Sequence, residues 1–483
     1  MKLIIAYPPL ESEKGVPLLT QNRQFQWFNN PSYIYPLIPA SAATLLAEKG
    51  YHIIWKDAIV EKESPQEFFK FCQLQQPDLI VMETKTPVVK LHWAITEKLK
   101  QLLPKTKIVL MGDHVTSFPQ ESLENSKADY ILTGGDYDFL LLDLCNALKN
   151  KTELPKGIWY KEKNKIKNTG KFILSHNLDE LPVIDRELTK ANLYNIEYNI
   201  KVRPFAYTMV GRDCPYHKCR FCAWPILFPS FRTRSPENFL NEIGILIEKY
   251  KVKEIFDDTG TFPSGKWLED FCKGMIEKGY NKKINFSCNM RVDYITEKTA
   301  SLMKQAGFRL LKIGLESANQ NTLDKINKGI RVEQIIEACQ IAKKNNLEIH
   351  LTMIVGYPWE TKNEALKTYK LAKKLMTSGL ADVLQSTVLV PYPGTPLHTE
   401  ALENDWFRFD PKSYERYDMS EPVLNAEDMS SEEVMNICNK IYKIFLSPRF
   451  ILRRLSKLTS LDEIKFTLRG FKAVAGHLRD FAR

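Results

Sequence analysis

The sequence predicts an α/β protein made of two successive parallel-sheet units and an α-rich end. Three observations carry this. Short apolar runs alternate with helix-spaced stretches through residues 1–150, the alternation stops over 151–200, and it resumes from about 205 to 395. Strands separated by helices of this length imply βαβ crossovers and parallel sheets covered on both faces.

In the first unit, residues 1–150, Lys2–Ala6 reads as a strand closed by the proline turn Tyr7-Pro8-Pro9. Helical spacing follows at Pro39–Lys49, a strand at Tyr51–Trp55, a helix at Pro65–Gln75, and strands at Asp78–Met82, Lys107–Met111 and Tyr130–Leu132. In such a doubly wound sheet ligands bind beyond the carboxyl ends of the strands. Those ends are Tyr7-Pro8-Pro9, Glu83-Thr84-Lys85, Gly112-Asp113-His114 and Gly134-Gly135-Asp136. Glycines at two of them let a ligand approach the backbone closely.

Residues 151–200 read as a connector. A β-hairpin is expected from Trp159-Tyr160-Lys161 and Lys171–Leu174 around the polar run Glu162–Gly170, followed by the acidic Leu178-Asp179-Glu180-Leu181-Pro182. The second unit, residues 201–400, has strand patterns at Ala206–Val210, Glu254–Asp257, Asn285–Cys288, Leu310–Ile313, Ile349–Val355 and Val383–Leu389. Helical patterns fall between them at Pro236–Tyr250, Thr296–Ala306, Val332–Asn345 and Lys362–Thr377. Six repeated βα units favour an open or closed parallel barrel with functional residues at the carboxyl ends of its strands. Residues 401–483 read as an α-rich region, and its last 35 residues are basic and amphipathic, with Arg449, Arg453, Arg454, Lys457, Lys465, Arg469, Lys472 and Arg479 among Phe and Leu.

Composition bounds the function less sharply. At 483 residues the chain is long enough for about three domains. With 44% hydrophobic and 26% charged residues it is neither disordered in bulk nor collagen-like. The net charge of +10 suits anionic substrates, membrane surfaces or nucleic acid without choosing among them. Nucleic acid is the least expected partner, because no basic patch interleaved with aromatics stands outside the tail. The tail itself suits either a helix packed on the barrel or an amphipathic helix lying on an anionic membrane. No apolar run is long enough to span a bilayer and no cleavage site follows the first strand, so a cytoplasmic protein is expected, membrane-associated if the tail binds lipid.

The nine cysteines divide into two kinds. Cys72, Cys145, Cys272, Cys288, Cys339 and Cys438 are scattered among apolar neighbours and read as small core residues. Cys214, Cys219 and Cys222 crowd into one loop, Gly211-Arg212-Asp213-Cys214-Pro215-Tyr216-His217-Lys218-Cys219-Arg220-Phe221-Cys222, directly after the first strand of the second unit. Three thiolates on a short loop can hold three irons of a cubane cluster, leaving the fourth iron open. A four-cysteine zinc site would need a second pair. A zinc site of three cysteines and one histidine would need His217, which lies inside the same loop.

That loop resembles the radical SAM superfamily, whose usual spacing is C-x3-C-x2-C with an aromatic residue before the last cysteine. Phe221 matches the aromatic position, while four residues rather than three separate Cys214 from Cys219. The similarity continues through Phe256-Asp257-Asp258-Thr259, Ser287-Cys288-Asn289-Met290-Arg291-Val292-Asp293, the "GLES" element in Lys312–Ser317, the "GxPxET" element in Val355–Thr361 and the "P-PGT-P" turn in Pro391–Leu397. The resemblance implies a partial (β/α)6 barrel and a [4Fe–4S] cluster on Cys214, Cys219 and Cys222. It also implies S-adenosylmethionine (SAM) against Phe221, Asp258, Asn289, Arg291, Glu316 and Gly356.

The first unit resembles the Rossmann-like cobalamin-binding domain of a radical SAM subclass that includes methyltransferases and an anaerobic cyclase, on the segments Pro36–Ile53 and Gly112–Leu123. This implies cobalamin near Gly112, His114 and Gly134. The D-x-H-x-x-G signature that supplies a histidine to cobalt is absent, since Asp113 and His114 are adjacent. The activity implied is reductive cleavage of SAM to a 5′-deoxyadenosyl radical, used for cobalamin-dependent methylation of an unactivated carbon. The alternative is oxidative cyclisation or C–C bond formation without methyl transfer. The partners implied are a small-molecule substrate, lipid-like or another hydrophobic metabolite, and an electron donor such as flavodoxin or ferredoxin.

Overall fold

The computed structural model describes residues 1–19, 25–29, 31–163, 165–194 and 199–480. The first sheet contains β1 (Lys2–Tyr7), β2 (His52–Asp57), β3 (Leu79–Glu83), β4 (Lys107–Met111), β5 (Tyr130–Leu132), β6 (Ile158–Glu162) and β7 (Lys165–Asn168), in the order β2-β1-β3-β4-β5-β6-β7. The strands β1 to β5 are parallel. All five residues of β3 are buried, as expected for a central strand covered by helices on both faces. The winding reverses between β1 and β3, the position where doubly wound sheets bind ligands. The helix Pro65–Gln75 starts where predicted, with Ser64 and Glu67 forming a capping box ahead of the first-turn proline.

The expected hairpin is displaced. Its second strand, β7, lies inside the polar run read as the turn, and Lys171–Leu174 forms no strand. Three of the four β7 residues are exposed and Ile166 alone is apolar, so this edge strand has no alternating pattern to read. The hairpin also extends the first sheet rather than standing apart as connector, because β6 pairs antiparallel with β5.

The second sheet contains β8 (Phe205–Thr208), β9 (Glu254–Asp257), β10 (Asn285–Met290), β11 (Phe308–Glu316), β12 (Glu348–Val355) and β13 (Val383–Val388), all parallel and adjacent in chain order. Among the described residues β8 pairs with β9 alone and β13 with β12 alone, so the curled sheet is an open barrel. The free edge of β13 is covered by the helix Ser431–Tyr442: the Tyr442 hydroxyl donates to the Ser386 carbonyl (2.9 Å) and accepts from its N–H (3.2 Å).

The basic tail folds onto the barrel. Arg453 and Lys457 reach Ala381 and Asp382, and Arg454 reaches Glu463 and Thr467. Arg469 donates to the carbonyls of Ile200 and Lys201. Among the described residues no helix is long and apolar enough to cross a membrane. The two sheets are tied together by ion pairs. Asp138, after β5, meets Arg212 at 2.7 Å, and Asp136 accepts two bonds from Arg232 at 2.8 Å.

Candidate functional site

The cysteine loop leaves β8 at the carboxyl end of the barrel. A two-residue antiparallel pairing of Gly211–Arg212 with Arg232–Thr233 fixes its base. Asp213 and His217 then adopt left-handed backbone angles, φ 76° and 53°, and the His217 Nδ1 bonds the Asp213 carboxylate. Asp213 turns the chain just before Cys214, and His217 turns it between Cys214 and Cys219. Their contact commits His217 to Asp213 instead of to the thiols. Beyond Cys219 the loop is pinned from both sides, by Arg220 N–H to the Ile326 carbonyl (3.0 Å) and by Leu397 N–H to the Arg220 carbonyl (3.1 Å). Gly260 permits a close pass, because a Cβ there would lie 2.8 Å from the Asp213 carbonyl oxygen.

All three thiols of the loop line one cavity of about 630 Å³, within the range of small-molecule sites. Among the described residues no three His, Cys, Asp or Glu side chains converge on a point that would hold a single ion. Three thiols on one short loop can give one thiolate to each of three irons of a cluster, whereas zinc would need a fourth ligand and the His217 imidazole is bonded to Asp213. Burial raises the pKa of Cys219 and pushes Cys222 up to about 12, with the neighbouring cysteines adding to both. The other six cysteines are buried and outside this wall.

The strand ends supply the rest. Phe221, Asp258, Asn289, Arg291 and Glu316 all line the cavity. Asn289 donates to the Thr259 carbonyl at 2.8 Å. Arg291 forks onto both oxygens of Asp293 at 2.9 Å and lies 4.0 Å over the Tyr216 ring. Glu316, at φ 56°, pairs with Lys328 at 2.7 Å. A Cβ at Gly314 would sit 2.1 Å from the Glu316 carboxylate, so the glycine of "GLES" makes room for this ion pair. Asp257 serves the fold instead: fully buried, it accepts from Thr208 Oγ1 and the Val210 N–H, both at 2.9 Å, and burial pushes its carboxyl up to about 7.

Four expected residues lie elsewhere. Gly356 is off the cavity wall; its missing side chain admits Val434, whose Cγ1 would be 2.9 Å from a Cβ. At Gly112 a Cβ would meet the Thr84 carbonyl oxygen at 2.1 Å, and at Gly134 the Phe172 ring at 2.7 Å, so both glycines are filled by the chain itself. His114 is fully buried, bonded to Thr86 (3.2 Å) and edge-on to Tyr414 (4.6 Å between ring centroids); burial lowers its pKa to about 3. A corrinoid in the cavity would therefore take no ligand from His114. The cavity nevertheless reaches the first sheet at Asp113, past β4, and Leu18, Phe28 and Ile34 add apolar side chains to its wall.

Lys328 and Arg203 on the wall were not foreseen, and Lys312, Arg469 and Lys472, also on the wall, read in the sequence only as parts of the "GLES" segment and of the basic tail. Lys312 was within reach, since it alternates with Gly314 along β11. Lys328 and the tail residues arrive from loops and a distant helix, where spacing gives no signal.

Residues 208–372 match the Radical SAM superfamily. Along nearly its whole length the chain is similar to an uncharacterized methyltransferase of Pyrococcus horikoshii, 28% identical over 94% of each protein. It is also similar to the anaerobic magnesium-protoporphyrin IX monomethyl ester cyclase of Cereibacter sphaeroides, 25% identical over 82% of this chain and 64% of the cyclase. In fold it resembles the radical S-adenosylmethionine methyltransferase TsrM of Kitasatospora setae, solved with cobalamin and a [4Fe–4S] cluster, with a TM-score of 0.69 at 13% identity and full coverage of both chains. It likewise resembles the cobalamin-dependent S-adenosylmethionine radical enzyme OxsB, with a TM-score of 0.70 at 16% identity over 99% of this chain and 71% of that one.

Proposed function

With a radical SAM domain at residues 208–372 as the premise, we propose that the protein is a cobalamin-dependent radical SAM methyltransferase acting on an unactivated carbon of a small molecule. The observation that carries this reading is a shared cavity onto which the three thiols, the barrel strand ends and Asp113 of the first sheet all open.

Cys214, Cys219 and Cys222 would hold the [4Fe–4S] cluster. Asp258, Asn289 and the Glu316–Lys328 pair offer a SAM molecule the acidic, amide and cationic groups that its ammonium, ribose and carboxylate need. Leu18, Phe28 and Ile34 would flank cobalamin. When bound, these groups supply a reductively generated organic radical and a transferable methyl group. The chain's own residues position the reactants and exclude water: Phe221 and Trp224 wall the thiol side, and Met290, Met353 and Ile354 line the barrel interior. An external flavodoxin or ferredoxin would deliver electrons. Membrane contact would use the outward face of the tail, where Leu452, Leu455, Leu461 and Leu468 are exposed.

The test is anaerobic reconstitution followed by absorbance and EPR spectroscopy, with and without added cobalamin. The wild type is expected to show a [4Fe–4S] signal, a corrinoid band that survives desalting, and 5′-deoxyadenosine on reduction with SAM. Cys222→Ala should lose the cluster and the 5′-deoxyadenosine; retention of both would overturn the assignment. The likeness to the magnesium-protoporphyrin cyclase favours cyclisation as the second reading. An unmethylated product that has lost C–H bonds would select it.

A further inference from the structure

We propose that Lys328 sets the reduction potential of the cluster held by Cys214, Cys219 and Cys222: its ammonium favours the reduced state, and Glu316 opposes it. This rests on the reading above and deepens it, because it gives the Glu316–Lys328 pair a part in cluster reduction that is separate from contact with SAM.

Lys328 belongs to a short segment, residues 325–329, laid directly on the cysteine loop. The Arg220 N–H and guanidinium donate to the carbonyls of Ile326 (3.0 Å) and Lys325 (3.3 Å). The Tyr216 hydroxyl donates to Asn327 Oδ1 at 3.1 Å, and Gly329 passes so close that a Cβ there would lie 2.3 Å from that hydroxyl. From the barrel side, Arg291 donates to the Lys328 carbonyl at 3.2 Å. Held between these contacts, the Lys328 side chain lines the cavity together with the three thiols. It is 13% exposed, with its ammonium 6.0 Å from the centre of the Phe221 ring, one residue before Cys222. Its partner Glu316 is 8% exposed and 2.7 Å away. The strand β11 leaves room for both, since a Cβ at Gly314 would meet Glu316 Oε1 at 2.1 Å and Lys328 Nζ at 2.6 Å. Arg291, also on the wall, is forked onto both oxygens of Asp293 at 2.9 Å, so its charge is matched there.

Adding one electron to a thiolate-held cluster makes it more negative by one charge. A fixed cation beside it therefore favours the reduced form, and a fixed anion the oxidised form. Groups shielded from water are screened little by salt. The Glu316 carboxylate keeps the buried ammonium paired, as burial demands, and tempers its effect on the thiols. The two charges thus act on the potential with opposite signs, a consequence that neither a packing role nor SAM binding shares.

The test is an EPR-monitored redox titration of the reconstituted protein without SAM, with dithionite supplying the electrons. Lys328→Met should favour the oxidised cluster about tenfold at a given applied potential, a midpoint lower by about 59 mV. Glu316→Gln should raise the midpoint. Lys328→Arg should titrate close to wild type, as should Lys325→Gln, exposed on the same segment. Equal midpoints in wild type and Lys328→Met, or shifts of the same sign in Lys328→Met and Glu316→Gln, overturn the proposal. Should Lys328→Met fail to take up iron, Glu316→Gln decides, and a midpoint that does not rise overturns it. Failure of the radical SAM reading is distinct from either result: the wild type would then have no [4Fe–4S] signal to titrate.

Discussion

Glu360 belongs to the "GxPxET" element, yet it faces the interior rather than the cavity. It is 1% exposed, and its Oε1 accepts from Ser317 Oγ at 2.9 Å and from Thr322 Oγ1 at 3.3 Å. Burial outweighs those bonds and pushes its carboxyl from 4.5 up to about 7. The folded state therefore holds this proton more tightly than the unfolded chain. The stability it contributes is complete below about pH 4 and is lost as the pH rises through about 7. Glu360→Gln keeps an acceptor and removes the titration. Denaturant melts from pH 4 to 8 should show a variant-minus-wild-type stability that grows with pH, by up to about 1.4 kcal/mol per pH unit. The difference is the meaningful quantity, because Asp57, Glu83 and Asp257 are also shifted upward. Gly135 gives a second test at this scale. A Cβ there would lie 2.1 Å from the buried Phe228 ring, so Gly135→Ala should cost about 1–3 kcal/mol in urea unfolding. Here the limits of sequence reading are plain. The cysteines were legible because their chemistry and spacing are local. Gly134 and Gly135 looked like part of a ligand site because Phe172 and Phe228, which fill the space beside them, lie far along the chain.

At the scale of elements, the last helix changes meaning most between sequence and structure. Its periodicity and basic residues were readable, and its docking surface was not, since that depends on a barrel formed by residues 205–388. Phe466 anchors it: 6% exposed, with Arg309 and Arg454 stacked 5.8 and 4.8 Å from its ring. Phe466→Ala should destabilise the protein by about 3 kcal/mol in urea. It should also open the helix to limited proteolysis, whereas a membrane-docked helix with no role in the fold would show neither effect. Five of the six barrel strands were legible to within two residues at each end, while β11 (Phe308–Glu316) was read only as Leu310–Ile313, because Arg309 and Gly314 interrupt its apolar run. β7 was not, because an exposed edge strand needs no apolar pattern.

At the scale of the whole molecule, the buried pair Arg212–Asp138 and the half-buried pair Arg232–Asp136 join the two sheets beside the cavity. Arg212 stands two residues before Cys214, so the same contact that docks the first sheet also aims the cysteine loop. Nothing local in the sequence reveals it, since the partners are 74 and 96 residues apart. Deleting one member strands a charge: Asp138 is fully buried, and an unpaired carboxylate there costs about 3–5 kcal/mol. Arg212→Ala should therefore lower the melting temperature and, because the clamp joins two separate sheets, split a single calorimetric transition into two. Asp138→Asn, which removes the charge while keeping an acceptor for the guanidinium, should lose less. An Arg212→Ala protein that melted in one step at the wild-type temperature would show that the sheets are held by their apolar contact alone. If the clamp also aims the loop, Arg212→Ala should load less iron than wild type under identical reconstitution, at temperatures where both are fully folded. Equal iron content with a lowered melting temperature would confine the clamp to stability.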